Sequence, residues 1–450
     1  MALTGIEIFK KLPKTNCGKC GVPTCLAFAM KLAAGQAELS ACPFVSEQAK
    51  AELDEASAPP IRPVTIGAGD GAVKIGGETV LFRHEKRFVN PTGLAVLVSD
   101  QMSDAEVEEC LRQFQELKYD RVGLTLQADL VALKAETGDP GKFAALVQKV
   151  KGKLNGRGAI LMSETPEILR AGAQVMADRK PLLYAATPTN LDAVAALAKE
   201  FQTPLAVKGG NLDELAGLTT KLVAAGVKDL VLDSGARTSR KALEDQIVIR
   251  RAALLKKFRP LGFPTITFPC EMTEDPMKEA LLASLFIAKY GGIVVLSKLE
   301  GHSLFPLLLE RMNLFTDPQR PMATTEGIYE IGGPHEYSPV LITSNFSLTY
   351  FIVSGEIEGS RVPSWLLVKD TEGLSVMTAW AAGKFGADAI APFVKKCGIA
   401  EKVKHRKLII PGYASVISGE LEEELPDWKI LIGPREAGHL AAYLKMWKPE

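Results

Sequence analysis

The stretch Asn16-Cys-Gly-Lys-Cys-Gly-Val-Pro-Thr-Cys25, followed later by Cys42-Pro43, decides how the N-terminal end of the chain folds. It holds four of the seven cysteines, spaced Cys-x2-Cys-x4-Cys-x16-Cys. Zinc ribbons usually offer two matched Cys-x2-Cys pairs, whereas iron–sulfur clusters accept uneven runs and a proline after the last ligand. The spacing therefore favours a [4Fe–4S] cluster here, with structural zinc as the alternative and disulfides as a third interpretation.

Two short helices are expected beside these cysteines. Thr4 is placed to cap the first, and the second should run from about Thr24 to Ala34, with a C-cap at Gly35. Cys25 would then begin a helix, whose N-terminal dipole favours an anionic thiolate cluster. The residues expected to share one face of this helix are Leu26, Ala29, Met30 and Ala33.

Composition bounds the rest of the chain. Its 450 residues predict roughly three domains, at about 150 residues each. The 53 basic and 53 acidic residues balance, which argues against a nucleic-acid-binding protein, because such proteins concentrate positive charge. No apolar run approaches the roughly 18 residues of a membrane span, and nothing at the N-terminus is typical of a secretory signal. We therefore expect a cytoplasmic protein.

An Ala-, acid- and Pro-rich stretch at 51–63 reads as a linker, so the first domain is placed at 1–58. Glycine-broken β-branched runs at 64–82 predict a hairpin. Eight apolar runs then alternate with amphipathic segments, which predicts a (β/α)8 barrel over 59–325, with an open doubly wound sheet as the alternative. The predicted strands are Leu94–Val98, Val122–Leu126, Ala159–Met162, Pro181–Tyr184, Leu205–Val207, Leu230–Leu232, Thr265–Phe268 and Ile293–Leu296.

The residues at the ends of these strands are polar, but their pattern indicates no particular reaction, and ion pairs at the barrel mouth are the favoured interpretation. They are Asp100, Gln127, Glu164, Thr187, Lys208, Asp233, Cys270 and Lys298. The three remaining cysteines, Cys110, Cys270 and Cys397, are interpreted as inert core thiols.

Beyond an irregular Pro- and Gly-rich segment at 311–339, four more strand–helix units predict a small doubly wound parallel sheet at 326–450. Its ligand edge should lie at the carboxyl ends of the strands, where small and hydroxyl-bearing loops suit a ligand carrying phosphate and amides. The predicted strands are Val340–Thr343, Trp365–Val368, Leu408–Ile410 and Ile430–Ile432, and the predicted helices are about 348–358, 375–396, 415–425 and 435–447.

A cluster module, a barrel and a small α/β domain in this order are unusual. With the cysteine run, the Thr-Glu-Gly loop at 371–373 and Ile-Gly-Pro at 432–434, the whole chain resembles one family. It is similar to the large subunit of the corrinoid iron–sulfur protein of the reductive acetyl-CoA pathway. That family acts as a methyltransferase component, which carries a methyl group from methyltetrahydrofolate on the cobalt of a corrinoid and passes it to the nickel site of acetyl-CoA synthase.

The resemblance implies cofactors and partners for this chain. Cys17, Cys20, Cys25 and Cys42 would ligate a [4Fe–4S] cluster, and the C-terminal domain would hold a corrinoid. The partners would be a small barrel subunit, a methyltetrahydrofolate methyltransferase, and acetyl-CoA synthase with CO dehydrogenase. The corrinoid-contacting residues implied are Val340, Thr343, Asn345, Phe346, Asp370, Thr371, Glu372, Gly373, Leu374, Gly412, Gly433, Pro434 and Arg435.

None of the five histidines lies in the Asp-x-His-x-x-Gly motif by which many cobalamin proteins ligate cobalt, which matches a carrier whose cobalt is reduced repeatedly. Two other functions stay open at this point. One is an autonomous pterin-dependent barrel methyltransferase with an attached electron-transfer domain, and the other is a non-catalytic zinc-binding assembly subunit.

Overall fold

A computed structural model gives the fold and describes residues 4–33, 36–46, 49–50, 53, 58–121, 124–317, 319 and 321–449. The chain forms two compact units. The first consists of Met1–Leu81, Val89–Val107 and Asp129–Lys298, and the second of Phe82–Phe88, Glu108–Ala128 and Leu299–Glu450. Within the described ranges, no helix combines the length and apolar character needed to cross a bilayer.

The N-terminal module contains the two predicted helices, α1 (Gly5–Lys11) and α2 (Cys25–Ala33). Thr4 caps α1 as expected, in a capping box with Glu7. The face of α2 that packs inward was predicted wrongly: Cys25, Phe28 and Ala29 are buried, while Leu26 and Met30 are exposed. Phe28 is bulkier than Leu26 and Met30. Its burial rotates the inward-facing side of α2 by about one residue from the predicted face. The C-cap expected at residue 35 lies outside the described residues.

The predicted hairpin after the linker is confirmed, with strands β1 (Val64–Ile66) and β2 (Val73–Ile75) paired antiparallel. Val64, Ile66 and Ile75 are buried in the same apolar core as the parallel barrel strands. The hairpin therefore fills one end of the barrel.

The barrel of the first unit is an eight-stranded parallel sheet, as predicted, and its order is β10-β9-β8-β7-β6-β3-β12-β11. A single bridge between Leu232 and Thr265 joins the two edges, so the ring is nearly closed. Alternate residues of the strands, such as Ala132, Ile160 and Val231, fill its interior. The strands are β3 (Gly93–Ser99), β6 (Leu130–Lys134), β7 (Gly158–Met162), β8 (Leu182–Ala186), β9 (Leu205–Lys208), β10 (Leu230–Asp233), β11 (Ile266–Thr267) and β12 (Ile293–Leu296).

One of the eight predicted barrel strands is wrong. The second strand is β6, not Val122–Leu126, so Gln127 does not end a barrel strand. The described part of the predicted run forms β5 (Leu124–Leu126), which pairs antiparallel with β4 (Tyr119–Arg121) in a separate hairpin. Leu124 is 53% exposed, whereas Leu130 to Leu133 are fully buried, so the second apolar run satisfies the barrel core better.

Helices connect these strands, and prolines open several of them at the first turn. Asp139 and Asp275 cap two of these helices with their carboxylates. The helices are α3 (Asp104–Glu116), α4 (Pro140–Lys151), α5 (Pro166–Val175), α6 (Leu191–Phe201), α7 (Leu212–Ala224), α8 (Ser239–Leu255), α9 (Pro276–Ala288) and α10 (Gly301–Leu314).

The second unit is built on a five-stranded sheet with the order β13-β15-β14-β16-β17. The four predicted parallel strands are present, and an unpredicted antiparallel strand, β13, borders β15. Part of the segment 311–339 that looked irregular is therefore α10 and β13. The strands are β13 (Gly327–Ile331), β14 (Val340–Ser344), β15 (Ser364–Lys369), β16 (Lys407–Ile410) and β17 (Lys429–Ile432).

Helices cover both faces of this sheet. Successive residues of a strand point to opposite faces, and here they pack into two separate apolar cores. Val340 and Ile342 pack with Phe385 and Ile390, whereas Leu341 packs with Ile357. The single helix predicted at 375–396 is wrong, since it breaks at Gly383, whose φ is +69°. The helices are α11 (Ser347–Ser360), α12 (Val376–Ala381), α13 (Ala387–Lys396), α14 (Ile399–Lys402), α15 (Ser418–Glu424) and α16 (Leu440–Leu444).

Candidate functional site

The strand order of the second unit creates a crevice between β14 and β16. From β14 the chain moves outward to β15, and it then returns to β16 on the other side of β14. Loops after the two strands diverge at such a switch point, and open α/β sheets bind ligands there. Topology alone therefore selects the carboxyl ends of β14 and β16 as the candidate site.

A cavity opens at this position. Thr343 contributes from the strand end, Thr349 and Val353 from α11, and Ser375 and Tyr413 from the loops after β15 and β16. The walls are mostly apolar, which is usual for small-molecule sites. The other lining residues are Leu341, Ile342, Val376, Met377, Ile409, Ile410, Pro411, Gly433, Pro434, Arg435, Ala437 and Leu440.

Four buried hydroxyls at this edge of the sheet have no hydrogen-bond partner among the described residues. They belong to Thr324, Thr343, Ser344 and Ser347, and Thr343 lines the cavity itself. An unpaired buried polar group costs about 1–3 kcal/mol, so it usually marks a missing partner. Hydroxyls at the cavity, apolar walls and an open mouth fit a large ligand that carries amide groups.

The predicted residues of the loop after β15 are held by Asn345. Its Oδ1 accepts from the backbone N–H groups of Thr371 (3.0 Å) and Gly373 (2.9 Å) and from the Thr371 hydroxyl (2.9 Å). Its Nδ2 donates to Asp370 Oδ1 at 2.8 Å. Glu372 also pairs with Lys384. The polar groups of Asn345 are therefore occupied in fixing the loop that precedes the cavity wall at Ser375.

Of the thirteen residues predicted to contact a corrinoid, the structure places four on the cavity wall: Thr343, Gly433, Pro434 and Arg435. Val340 is fully buried in the core, and Leu374 packs against that core. Phe346 is half-buried at the N-cap of α11.

Gly412 has a spacing role at the site. A Cβ atom on it would lie 2.6 Å from the carbonyl oxygen of Gly433 and 2.7 Å from the Arg435 nitrogen. Only glycine lets the loop after β16 approach the loop after β17 this closely. The amide of Gly412 also donates to the Pro434 carbonyl at 3.1 Å.

Tyr413, beside it, is not among the ligand contacts that the resemblance implies, although it lines the cavity. Its hydroxyl donates to Glu436 Oε1 at 2.9 Å, and that bond raises the pKa of Tyr413. The Arg435 guanidinium lies 5.9 Å from the centre of its ring. An aromatic residue directly after Gly412, in a loop at a strand end, was the available signal.

Exposed apolar side chains stand on the same elements that line the cavity, and we call them the apolar rim. Most are more than 40% exposed, which is unusual for so many large apolar groups on neighbouring loops and helices. The apolar rim consists of Leu348, Ile352, Met377, Trp380, Tyr413, Val416 and Ile432.

The four predicted cluster ligands lie in the N-terminal module. Cys25 is buried at the first turn of α2, where its N–H donates to Asn16 Oδ1 at 2.8 Å. Cys20 and Cys42 pack against the same apolar core, and Cys17 is exposed. Within the described residues no three Cys, His, Asp or Glu side chains are gathered closely enough to enclose a metal ion. The structure thus brings the sulfurs into one module but not into a ligand cage.

The backbone around these cysteines suits thiolate ligands. Gly18 and Gly21 have φ values of +72° and +77°, a region that favours glycine. A hydrogen bond from the Lys19 backbone N–H, with another from Thr15, lowers the pKa of Cys17. Four sulfur donors in so small a module fit an iron–sulfur cluster or zinc by chemistry alone.

The three remaining thiols, which the sequence analysis interprets as inert, have raised pKa values. Burial raises the pKa of Cys110 to about 11 and that of Cys270 to about 12, and it also raises the pKa of Cys397. All three thiols stay protonated at neutral pH, in which form they are poor ligands and poor nucleophiles.

Polar residues at the barrel mouth are paired with one another. Asp233 accepts from the Tyr184 hydroxyl at 2.6 Å and from two nitrogens of Arg237, which also pairs with Glu271. Lys208 bonds Glu164 at 2.7 Å. These contacts are those of structural ion pairs.

Comparison with known proteins decides the family. Residues 63–444 match the family model described as CO dehydrogenase/acetyl-CoA synthase delta subunit, and residues 12–44 match one described as putative Fe–S cluster. The chain is 48% identical to the corrinoid/iron–sulfur protein large subunit of Moorella thermoacetica, over 99% of both chains. The chain belongs to the family of corrinoid/iron–sulfur protein large subunits.

Archaeal members of the corrinoid/iron–sulfur large-subunit family are also similar, so the family resemblance expected from the sequence is confirmed. The acetyl-CoA decarbonylase/synthase complex subunit gamma of Methanopyrus kandleri is 36% identical, over 98% of this chain and 97% of that protein. The gamma 1 subunit of Methanosarcina thermophila is 38% identical, over 99% of both.

Solved structures that resemble part of the chain are more distant. A DAHP synthase of Thermotoga maritima has 16% identity and a TM-score of 0.41, covering 58% of this chain and 74% of its own. A dihydropteroate synthase of Xanthomonas albilineans has 15% identity and a TM-score of 0.34, covering 50% of this chain and 93% of its own. These low scores say nothing about activity.

Proposed function

We propose that the chain is a corrinoid methyl carrier. It accepts a methyl group from methyltetrahydrofolate through a separate methyltransferase, and it delivers that group to the nickel site of acetyl-CoA synthase. A [4Fe–4S] cluster in the domain 1–58 returns electrons, the domain 59–325 is the barrel, and the domain 326–450 holds the corrinoid. The observation that carries the proposal is the cavity at the β14/β16 switch point, with unpaired hydroxyls at its edge.

The cavity residues have distinct roles in this proposal. The hydroxyl of Thr343, which lines the cavity, would donate to an amide carbonyl of the ligand, which replaces the partner it lacks. Gly412 keeps two loops close enough to form one wall, and Asn345 holds the loop that forms another. Apolar side chains from α11 and α12 exclude water from the ring. A bound corrinoid would supply the cobalt nucleophile, and the cluster would supply single electrons.

None of the described residues that line the cavity is a histidine. His405 is buried elsewhere, with its Nε2 2.9 Å from the Ser338 carbonyl, and His335 accepts at Nδ1 from the Tyr337 amide. Among the described residues, those that line the cavity therefore offer the cobalt no imidazole. A metal without a strong lower ligand is easier to reduce, which suits a carrier that must be returned to its lowest oxidation state.

The partners follow from the same proposal. The relatives are named as a large subunit and as the gamma subunit of a complex. We extend this to a stable heterodimer with a small corrinoid iron–sulfur subunit and to transient complexes with the folate methyltransferase and with acetyl-CoA synthase/CO dehydrogenase.

The test is an anaerobic preparation of the heterodimer with iron and cobalt counts, visible spectra and electron paramagnetic resonance. At full occupancy we expect about four irons and one cobalt per chain pair. The Co(II) lines in the electron paramagnetic resonance spectrum should show no nitrogen splitting. Cys20→Ala should lose the cluster signal and keep the cobalt. Zinc without iron or cobalt would refute the proposal in favour of an assembly subunit, and nitrogen splitting would refute the ligand-free cobalt.

A further inference from the structure

The β4–β5 hairpin belongs to the second unit, although its sequence runs between α3 and β6 and so falls among the barrel elements. The eight strands of the nearly closed barrel do not include it. Tyr119 pairs with Leu126, and the Thr125 hydroxyl donates to Asp120 Oδ1 at 2.8 Å across the two strands. A short hairpin that stays outside the barrel sheet therefore needs another role, and its contacts indicate one.

The hairpin packs on α10. The ring of Tyr119 lies 4.8 Å from that of Phe305, measured between centres. Gly301 makes room for this contact, because a Cβ atom on it would stand 3.0 Å from the Tyr119 hydroxyl oxygen. The ring contact and the close approach fix β4 on this helix. Arg121 ends β4 on the same face of the strand as Tyr119, since side chains alternate along a strand.

From this position Arg121 contacts α11. Its guanidinium carbon lies 4.6 Å from the ring centre of Phe351, which is within the range of a cation–π contact. Phe351 stands midway in sequence between Thr349 and Val353, and both of these line the cavity. Residues two positions apart on a helix point about 200° apart, so Phe351 faces away from the cavity. The hairpin therefore supports α11 from the side opposite the ligand.

The composition of α11 makes such support necessary. Thr349 to Val353 is an unbroken run of β-branched and aromatic residues, which lose side-chain freedom in a helix. Gly355 and Gly359 follow, and a Cβ atom on either would meet no described neighbour within 4 Å, so close packing does not explain them. Phe346 at the N-cap provides no side-chain hydrogen bond. Packing against other elements must hold a helix of this kind.

We propose that the β4–β5 hairpin positions this wall of the cavity, with Arg121 as a positioning residue for the bound corrinoid. This inference rests on the proposed function, because it presupposes a corrinoid in the cavity. Arg121 holds Phe351, and α11 then keeps Thr349 and Val353 against the ligand. A loosened α11 releases the ligand faster. Retention of the corrinoid thus depends on residues that lie outside the domain 326–450.

The test measures how fast the heterodimer releases its corrinoid. The heterodimer is loaded with cobalamin, and the exchange of bound cobalamin with an excess of radiolabelled cobalamin is followed. Arg121→Gln should speed the exchange about two- to fivefold, which corresponds to one exposed cation–π contact. Arg121→Lys keeps a cation over the ring and should stay near the wild-type rate. Residue 121 is exposed, so neither variant should disturb folding.

Phe351→Leu tests the same contact from its other side. It keeps apolar bulk but removes the ring, so it should speed the exchange by a similar factor, and adding Arg121→Gln to it should change nothing further. In Arg121→Gln, hydrogen exchange should show lost protection along α11 while the urea midpoint stays that of the wild type. A general loss of stability would lower that midpoint as well.

The matched control is Lys402→Gln. It removes a cation that lies 4.8 Å from the ring centre of Trp365, a residue that packs in the core on the opposite face of the sheet from Ile357 of α11. This control should exchange cobalamin at the wild-type rate.

Three outcomes would overturn the positioning role of Arg121 and leave the methyl-carrier proposal standing. In the first, the variants at residues 121 and 351 retain cobalamin as long as the wild type. In the second, Arg121→Lys releases it as fast as Arg121→Gln. In the third, the effects of the substitutions at 121 and 351 add independently, which would mean that their contact is not the cause. A wild-type heterodimer that binds no cobalamin would refute both proposals.

Discussion

Asn345→Ala offers a sharp test of how the candidate site is built. The side chain is 4% exposed, and its Oδ1 accepts from three donors. Alanine would leave the backbone N–H groups of Thr371 and Gly373 buried without a partner. At about 1–3 kcal/mol for each, partly offset by water entry, the unit should lose about 2–4 kcal/mol of unfolding free energy. The Thr371 hydroxyl keeps the Leu374 carbonyl as a partner, so it adds little.

The assay is urea unfolding followed by tryptophan fluorescence. All four tryptophans, Trp365, Trp380, Trp428 and Trp447, lie in the second unit, so the signal reports that unit. With a urea slope of about 2 kcal/mol per M, the midpoint should fall by about 1–2 M. Hydrogen exchange should show lost protection at Thr371 and Gly373.

Two further variants make the test specific. Asn345→Asp keeps the Oδ1 acceptor but sets a second, buried carboxylate beside Asp370, so it should also destabilise the unit, and more strongly at pH 7 than at low pH. Asn190→Ala removes an asparagine that makes similar bonds in the barrel, to Thr187, Glu164 and Ala185, and it should change the tryptophan signal less. A midpoint for Asn345→Ala equal to that of the wild type would refute the reasoning.

Two other predictions concern the same unit. Gly412→Ala should force the loops after β16 and β17 apart and lower the cobalt content of a folded protein, whereas Gly419→Ala, with open space around it, should not; equal cobalt in both variants would contradict this. Burial lowers the pKa of His405 below 6.5, so the neutral form stabilises the fold above that pH and stability falls as the pH drops towards the lowered value. The urea midpoint should therefore decline from pH 7 to pH 5 in the wild type and less in His405→Gln, and equal declines would exclude His405 as the cause.

The sequence predicts strands well where apolar runs are isolated. Seven of the eight barrel strands follow from runs bounded by polar segments, such as Leu205–Val207. The error falls where two apolar runs, Val122–Leu126 and Leu130–Leu133, stand a few residues apart. The hydrophobic pattern of the sequence does not show which of the two runs is the barrel strand. That depends on which run the rest of the barrel buries.

The residues of the candidate site likewise fall into those that the sequence predicted and those that only the fold reveals. Strand-end loops are visible in the sequence, so Thr343, Gly433, Pro434 and Arg435 were found. Thr349 and Val353 were missed, because their position on the cavity depends on how α11 turns against the sheet. Gly412 was predicted as a ligand contact, whereas the structure gives it a spacing role, because it lies directly against Gly433 and Arg435 of the loop after β17. The unpaired hydroxyls exist only once the fold is known.

The apolar rim bears on how a methyl carrier must work. Seven large apolar side chains around one cavity cost free energy in water, and sequences that need only a closed pocket replace such groups with polar ones. A carrier, as we propose for this chain, must instead present the same cavity to an enzyme that gives the methyl group and to another that takes it. Both enzymes must bind the same surface around the cofactor. An adaptable, largely apolar surface can bind different partners, whereas a charged surface that attracts one partner can repel the other. Met377 and Trp380, side by side on α12, suit such a surface, because a flexible thioether and a flat ring adjust to different shapes. The exposed apolar rim thus follows from one requirement, that two different proteins cover the site one after the other.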